Sequence, residues 1–270
     1  MTRPSVTEFL PAAIEAGEAI LRLYAQGTPV ERKEGGSPVT EADRAAEAII
    51  LAHLARLAPD IPVIAEEEVA AGRVPETGGT FFLVDPLDGT REFINGNGEF
   101  TVNIALIADH APYWGIVSVP VSGELFYGTM LDGAFAARIE SGGLGESFAI
   151  GVRETPPEGP TVLASRSHRS AETDAFIERA GAADIVSAGS SLKFCRIAAG
   201  KADLYPRLSP TMEWDTAAGD AVLRAAGGSV VTLDGDALAY GKRGRVEETD
   251  FLNPSFVASG GRVDPKLLKG

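Results

Sequence analysis

The 270-residue chain has one cysteine and three histidines. The lone Cys195 excludes an internal disulfide and points to a reducing compartment, with the cytoplasm as the default expectation. So few histidines and cysteines argue against a His- or Cys-rich zinc site. Positive charge is also scarce: 24 Lys and Arg stand against 38 Asp and Glu, a formal charge of −14. Neutralising a nucleic-acid polymer needs a basic face, so such a partner is not expected. No apolar run approaches the roughly 18 residues of a membrane span, so no transmembrane segment is expected. Met1-Thr2-Arg3-Pro4-Ser5 leads into an amphipathic pattern without the features of a signal peptide. What is plentiful is apolar: 44% hydrophobic residues predict a globular chain with a sizeable core.

An acidic chain poor in nitrogen and sulfur ligands can still hold a hard cation through carboxylates, and a bound cation reverses the local charge. The stretch best suited to this is Asp85-Pro86-Leu87-Asp88-Gly89-Thr90. Thr80 to Val84 reads as a buried strand. Asp85 then stands at its C-terminal end, and Pro86, lacking an N–H, is expected to stop the ladder. Gly89 permits a tight turn. Thr90 to Ile94 starts a short helix whose free N–H groups favour an anion. Two carboxylates and a phosphate-sized anion pocket thus fall within six residues, although an Asp-Gly pair after a strand, taken alone, is usually just a turn.

Upstream, Ser5 to Gln26 has helical spacing and stops at Gly27. Glu31 to Gly36 is a charged loop. Thr40 caps a second helix running to about Leu57, with Asp43 at the capping-box position. Ile61-Pro62-Val63-Ile64 is strand-like and ends in Glu66-Glu67-Glu68, which taken alone is a solvated acidic patch. Val74 to Gly79 is a loop. Downstream, strands over 101–108, 113–119, 124–129 and 134–138 form an antiparallel meander. The stretch 141–160 is rich in Gly and Pro and weakly periodic, and a domain junction is placed there, dividing 1–150 from 151–270. Beyond it, strands at 161–164, 184–187, 203–206 and 228–233 alternate with helices at 171–180, 192–199 and 216–226, an α/β layer. Asp215 is the expected N-cap of the last helix, and Gly189-Ser190-Ser191 opens another.

Taken together, Glu66-Glu67, Asp85 to Thr90 and Trp214-Asp215-Thr216-Ala217-Ala218-Gly219 resemble the inositol monophosphatase superfamily of Mg²⁺-dependent, lithium-sensitive phosphomonoesterases. The resemblance runs from Asp43 to Gly228. Arg91 to Ile94, Asn97 to Asn103, Ala164 to His168, Gly189 to Cys195 and Ala202 to Arg207 resemble the 3′(2′),5′-bisphosphate nucleotidases of the CysQ type. The resemblance implies a mixed α+β and α/β fold, a layered α-β-α-β-α sandwich. It implies hydrolysis of the 3′-phosphate of adenosine 3′,5′-bisphosphate, and also of 3′-phosphoadenylyl sulfate, by a metal-activated water. It places two or three Mg²⁺ ions on the carboxylates of Glu66, Asp85, Asp88 and Asp215 and the carbonyl of Leu87.

By the same resemblance Asp43, Glu67 and Thr90 serve the attacking water, and Gly89 and Thr90 N–H groups hold the phosphate. His168, Ser190, Lys193 and Arg207 then contact the nucleotide. The run Ala65 to Glu68 departs from relatives that carry only two acids; Glu66 is the expected metal ligand. An inositol or sugar phosphatase would keep the same ligands. An aspartyl-phosphate phosphatase fits less well, because Asp85 and Asp88 are three apart rather than two. A non-catalytic metal or nucleotide sensor stays open, as does the oligomeric state.

Overall fold

The computed structural model describes residues 3–27, 30–32, 38–140, 143–164, 170–244 and 249–268. The first helical pattern becomes a 3-10 turn, Val6–Phe9, that runs into α1, Leu10–Gln26. Gly27 ends α1 at φ 71°, a left-handed stop that glycine adopts without a Cβ penalty. Of the charged stretch expected as a loop, Glu31 and Arg32 instead belong to β1, Val30–Arg32, paired antiparallel with β2, Pro38–Thr40, while 33–36 lie outside the described residues. A ladder is made by main-chain groups, so a charged composition does not preclude it. Then comes α2, Glu41–Leu57, opened by the expected capping box between Thr40 and Asp43.

Next are β3 (Val63–Ala65), α3 (Glu66–Ala70), β4 (Thr80–Asp88), α4 (Thr90–Ile94), β5 (Thr101–Ala108), β6 (Ala111–Val119), β7 (Glu124–Thr129), β8 (Gly133–Glu140) and β9 (Gly143–Ile150). The seven strands β3 to β9 form one sheet in sequential order. β3 and β4 pair in parallel and every later pair is antiparallel, so the expected meander is present. The weakly periodic stretch after 140 supplies β9, an edge strand that the Gly-rich composition hides. α3 is likewise a helix begun by the three glutamates rather than a mere solvated patch.

β4 corrects a second expectation. Pro86 does not end the strand; pairing resumes at Asp88. Asp85 pairs with Asn103 and Asp88 with Thr101, so three steps on β4 meet two on β5. This is a β-bulge, where a proline is tolerated. Its effect is functional. In a regular strand residues three apart face opposite sides; the extra residue turns Asp88 toward the same cleft as Asp85.

The rest of the chain comprises β10 (Thr161–Ala164), α5 (Ala171–Arg179), β11 (Asp184–Ser187), α6 (Leu192–Ala198), β12 (Leu204–Arg207), α7 (Ala217–Ala225), β13 (Ser229–Thr232), β14 (Phe256–Ser259) and α8 (Pro265–Leu268). Its five-stranded sheet has the order β11-β10-β12-β14-β13. β14 and α8 are unforeseen in the sequence, and β14 inserts antiparallel between β12 and β13.

α1 and α2 cover one face of the large sheet. α6 and α7 lie between the two sheets. α5 covers the outer face of the small one, where Phe176 meets Val162, Ala164 and Val257. On the same strands Leu163, Phe256 and Ala258 point inward, the period of two expected of a strand. The layers therefore run α-β-α-β-α. Gly115 on β6 lets α7 lie directly on the sheet, since a Cβ there would stand 2.4 Å from the carbonyl oxygen of Ala218. Among the described residues no helix is long and apolar enough to cross a membrane.

Candidate metal and phosphate site

The end of β4 and the starts of α3, α4, α6 and α7 meet around one cleft of about 290 Å³. Its wall includes Glu66, Asp85, Leu87, Asp88, Gly89, Thr90, Ser190, Lys193, Arg207 and Asp215. Ten residues proposed from sequence thus converge from segments far apart in the chain. Asp43 and Glu67 are not in its wall: Asp43 accepts a hydrogen bond from Thr90, and the Glu67 N–H donates to Glu47 on α2. His168 lies outside the described residues.

The carboxylates are held in an environment that disfavours their charge. Asp85 is buried, and its Oδ1 accepts the Leu87 N–H at 3.0 Å. Burial, then the charges of Glu66, Asp88 and Asp215, lift its carboxyl well above the usual range. Asp215 is raised in the same way, by burial and then by Asp88 and Glu66. Burial also raises Asp88, opposed by Lys193 and by hydrogen bonds from Ser191 and Asn103. Among the described residues no ion pair neutralises Asp85, Asp88 or Asp215. Converging, unneutralised carboxylates at the end of a strand fit a hard divalent cation, whose charge would favour their ionised form. Among the described residues no three His, Cys, Asp or Glu side chains are grouped closely enough to hold a metal ion by themselves. Mg²⁺ keeps water and substrate oxygens among its ligands, so it relies on few protein ligands.

Asp215 is not the helix cap expected from sequence. Thr216 occupies that position, and Asp215 Oδ2 accepts the Met212 N–H at 2.8 Å. The carboxylate is aimed by this turn rather than spent on α7.

On the opposite side, Thr40 grips Asp43: its N–H and hydroxyl both donate to Oδ2 at 2.7 Å. The Thr90 hydroxyl donates to Asp43 Oδ1 at 3.2 Å and lies 3.4 Å from the carbonyl oxygen of Leu87. Its proton is thus directed away from the cleft, leaving the oxygen lone pairs to accept.

Gly89 has φ 98°, and a Cβ there would come within 2.5 Å of Ser190 Oγ. Ser190 sits at φ 49°, with its hydroxyl 2.8 Å from the carbonyl of Asp88 and 2.7 Å from that of Glu99. Its hydroxyl therefore ties the cleft wall together. The Lys193 ammonium is buried, donates to the carbonyls of Ala188 and Ser190 at 3.2 and 2.8 Å, and is pushed down to about 8 by burial. The Arg207 guanidinium donates to the carbonyls of Ser209 and Pro210 at 3.2 and 3.0 Å. One cleft therefore carries both carboxylates and cationic side chains.

Three residues of this neighbourhood were not singled out from sequence: Glu47, Asn103 and Ser191. Glu47 is buried on α2, and its Oε2 accepts the Glu67 N–H at 2.9 Å. A Glu in a helix carries no local sign that its partner is a backbone twenty residues on. Burial, partly offset by that hydrogen bond, pushes Glu47 from 4.5 up to about 7. A carboxyl raised on folding ionises more easily in the unfolded chain, so it subtracts stability as pH rises through this window. Glu47→Gln keeps an acceptor for the Glu67 N–H. In the metal-free protein at pH 8 it is expected to add about 1–2 kcal/mol, roughly 2–8 °C in Tm. The gain should vanish below pH 4.5, where both states carry the proton. Thermal scans across pH check this; a constant gain at every pH would contradict it.

A model of the inositol monophosphatase family matches residues 3–268. The 3′(2′),5′-bisphosphate nucleotidase CysQ of Salmonella typhimurium is 45% identical over 246 residues, 90% of this chain and 95% of that protein. Its counterpart in Escherichia coli K12 is 43% identical over 249 residues, 92% and 96% of the two chains. Among solved structures, CysQ from Bacteroides thetaiotaomicron superposes with a TM-score of 0.76 at 37% identity, covering 94% of this chain and 96% of that one. An IMPase from Thermotoga maritima gives 0.75 at 26% identity, covering 96% and 92%.

Proposed function

The chain belongs to the inositol monophosphatase family, and on that premise we propose that it is a Mg²⁺-dependent 3′(2′),5′-bisphosphate nucleotidase. Its substrate is then adenosine 3′,5′-bisphosphate, with 3′-phosphoadenylyl sulfate as a second substrate, and its products are AMP, or adenylyl sulfate, and phosphate. The observation that carries the reading is the mixed lining of one cleft, which combines the carboxylates of Glu66, Asp85, Asp88 and Asp215 with the cationic side chains of Arg91, Lys193 and Arg207. A monophosphate needs only the carboxylates and their cations. A substrate with a second phosphate needs positive charge away from the scissile bond.

Glu66, Asp85, Asp88, Asp215 and the Leu87 carbonyl would hold the Mg²⁺. When bound, the metal lowers the pKa of the attacking water and offsets charge on the phosphoryl and leaving oxygens. The chain's own residues do the positioning. Thr90, with its proton committed to Asp43, accepts a hydrogen bond from the attacking water and so orients its lone pair. Glu67 is the acceptor for the proton that the water loses. N–H groups of Gly89 and Thr90 meet the phosphate oxygens. The buried Lys193 and Arg207 take the second phosphate.

Phosphate release is to be measured from adenosine 3′,5′-bisphosphate, inositol 1-phosphate and fructose 1,6-bisphosphate at fixed Mg²⁺ and ionic strength. The first is expected to give the highest kcat/KM; preference for either of the others would overturn the assignment. Lys193→Ala and Arg207→Ala should each lower kcat/KM on the nucleotide about ten- to a hundredfold. Charge-assisted hydrogen bonds are worth about 1.5–3 kcal/mol each. Turnover of inositol 1-phosphate, which lacks the second phosphate, should change little. Equal losses on both substrates would assign these side chains to the scaffold.

A further inference from the structure

Asn103 and Ser191 are buried, and neither forms part of the cleft wall. The Ser191 N–H donates to Asp88 Oδ2 at 2.7 Å, and the Ser191 hydroxyl donates to the carbonyl oxygen of Asp215 at 2.6 Å. Asn103 Nδ2 donates to Ser191 Oγ at 3.0 Å and lies 3.4 Å from Asp88 Oδ2. A hydroxyl has one proton. Since Ser191 spends it on Asp215, its lone pairs are what Asn103 meets. Asp88, Asn103, Ser191 and Asp215 are therefore joined in one directional chain of hydrogen bonds.

This chain links the end of β4 to Asp215, which precedes α7. Asp88 ends a strand of the large sheet, whereas Asp215 precedes α7 between the sheets. Their like charges push them apart, and no covalent link near either one sets their spacing. We propose that Ser191 and Asn103 are positioning residues that hold Asp88 and Asp215 at the spacing a divalent cation requires. The cation then enters a prearranged pair instead of first drawing two repelling carboxylates together. This inference rests on the reading of the cleft as a Mg²⁺ site.

Outer partners that orient metal ligands typically matter by about ten- to a hundredfold in affinity or activity. S191A removes the bond to Asp215 and the acceptor for Asn103, yet keeps the N–H that meets Asp88. Mg²⁺ binding to the metal-free protein is to be measured by calorimetry well below Tm, beside Tm itself and the Mg²⁺ concentration for half-maximal activity. S191A and N103A are each expected to weaken Mg²⁺ binding about tenfold and to raise the half-maximal concentration by the same factor. KM for the phosphate ester at saturating Mg²⁺ should stay unchanged. The double variant should lose little more than either single one, because both act through one chain of bonds. Wild-type Mg²⁺ affinity in S191A, whatever its Tm, would overturn the proposal, as would additive losses in the double variant. Should S191A not fold, N103A alone decides in the same way. A wild-type protein that neither binds Mg²⁺ nor releases phosphate would instead overturn the reading of the cleft.

Discussion

Asp88→Asn is expected to reduce kcat by on the order of a thousandfold or more while leaving the fold intact. The metal contributes several kcal/mol of transition-state charge stabilisation, and each 1.36 kcal/mol is about tenfold in rate. Asn is nearly isosteric with Asp, so packing is unchanged. Its amide oxygen can take the place of Oδ2 and still accept from the Ser191 N–H and from Asn103. The lost charge is one that burial disfavours. With its folded pKa raised, ionised Asp88 costs stability above its unfolded value and nothing where both states are protonated. The metal-free variant should therefore be more stable than wild type at neutral pH and equal to it in strong acid. Lys193 loses its counter-charge, so its pKa should fall further from about 8. Steady-state kinetics and metal-free thermal scans check both halves. Turnover near the wild-type rate would remove Asp88 from the metal site.

Removal of divalent cations is the second large effect. Exhaustive chelation followed by desalting should abolish phosphate release, a loss on the order of a thousandfold or more, and added Mg²⁺ should restore it. Excess Ca²⁺ should inhibit, because its longer, looser coordination holds the same oxygens less tightly. Li⁺ should inhibit on the ground of the family alone. The raised carboxyls of Asp85 and Asp215 add a sign that can be tested. Bound Mg²⁺ needs them ionised, so binding should release protons and affinity should rise with pH. Calorimetry in buffers of different ionisation heat measures that release. Full activity after chelation would end the metal mechanism.

How much was legible in the sequence depended on how local each feature is. Thr40 and Asp43 form the expected capping box because its partners are three residues apart and no other element is needed. The sequence from Asp85 to Thr90 put two carboxylates beside a turn and a helix start for the same reason. The continuation of β4 past Pro86 was not legible. Whether a proline ends a strand or sits in a bulge depends on what the neighbouring strand offers, here Asn103 and Thr101 of β5. The same holds for Asp215: an Asp before a helix is normally its cap, but Thr216 takes that position, and the turn from Met212 directs the carboxylate elsewhere. β9 and β14 were hidden because strands draw their stability from partners rather than from composition.

By itself the sequence determined the acidic character of the chain, the alternation of its elements, the exclusion of an internal disulfide and the run of carboxylates beside a turn at Asp85 to Thr90. These follow from composition, period and motifs confined to a few residues. Only the tertiary structure decided that Asp85 and Asp88 face the same cleft, that the Thr90 hydroxyl meets the Asp43 carboxylate, and that Ser191 and Asn103 join Asp88 to Asp215. It also decided that Glu47 is buried behind Glu67 rather than solvated on a helix face. Each of these is a hydrogen bond or a burial between segments distant in sequence. Such contacts exist only once both sheets and the helices between them have packed, and no pattern within either segment encodes its partner.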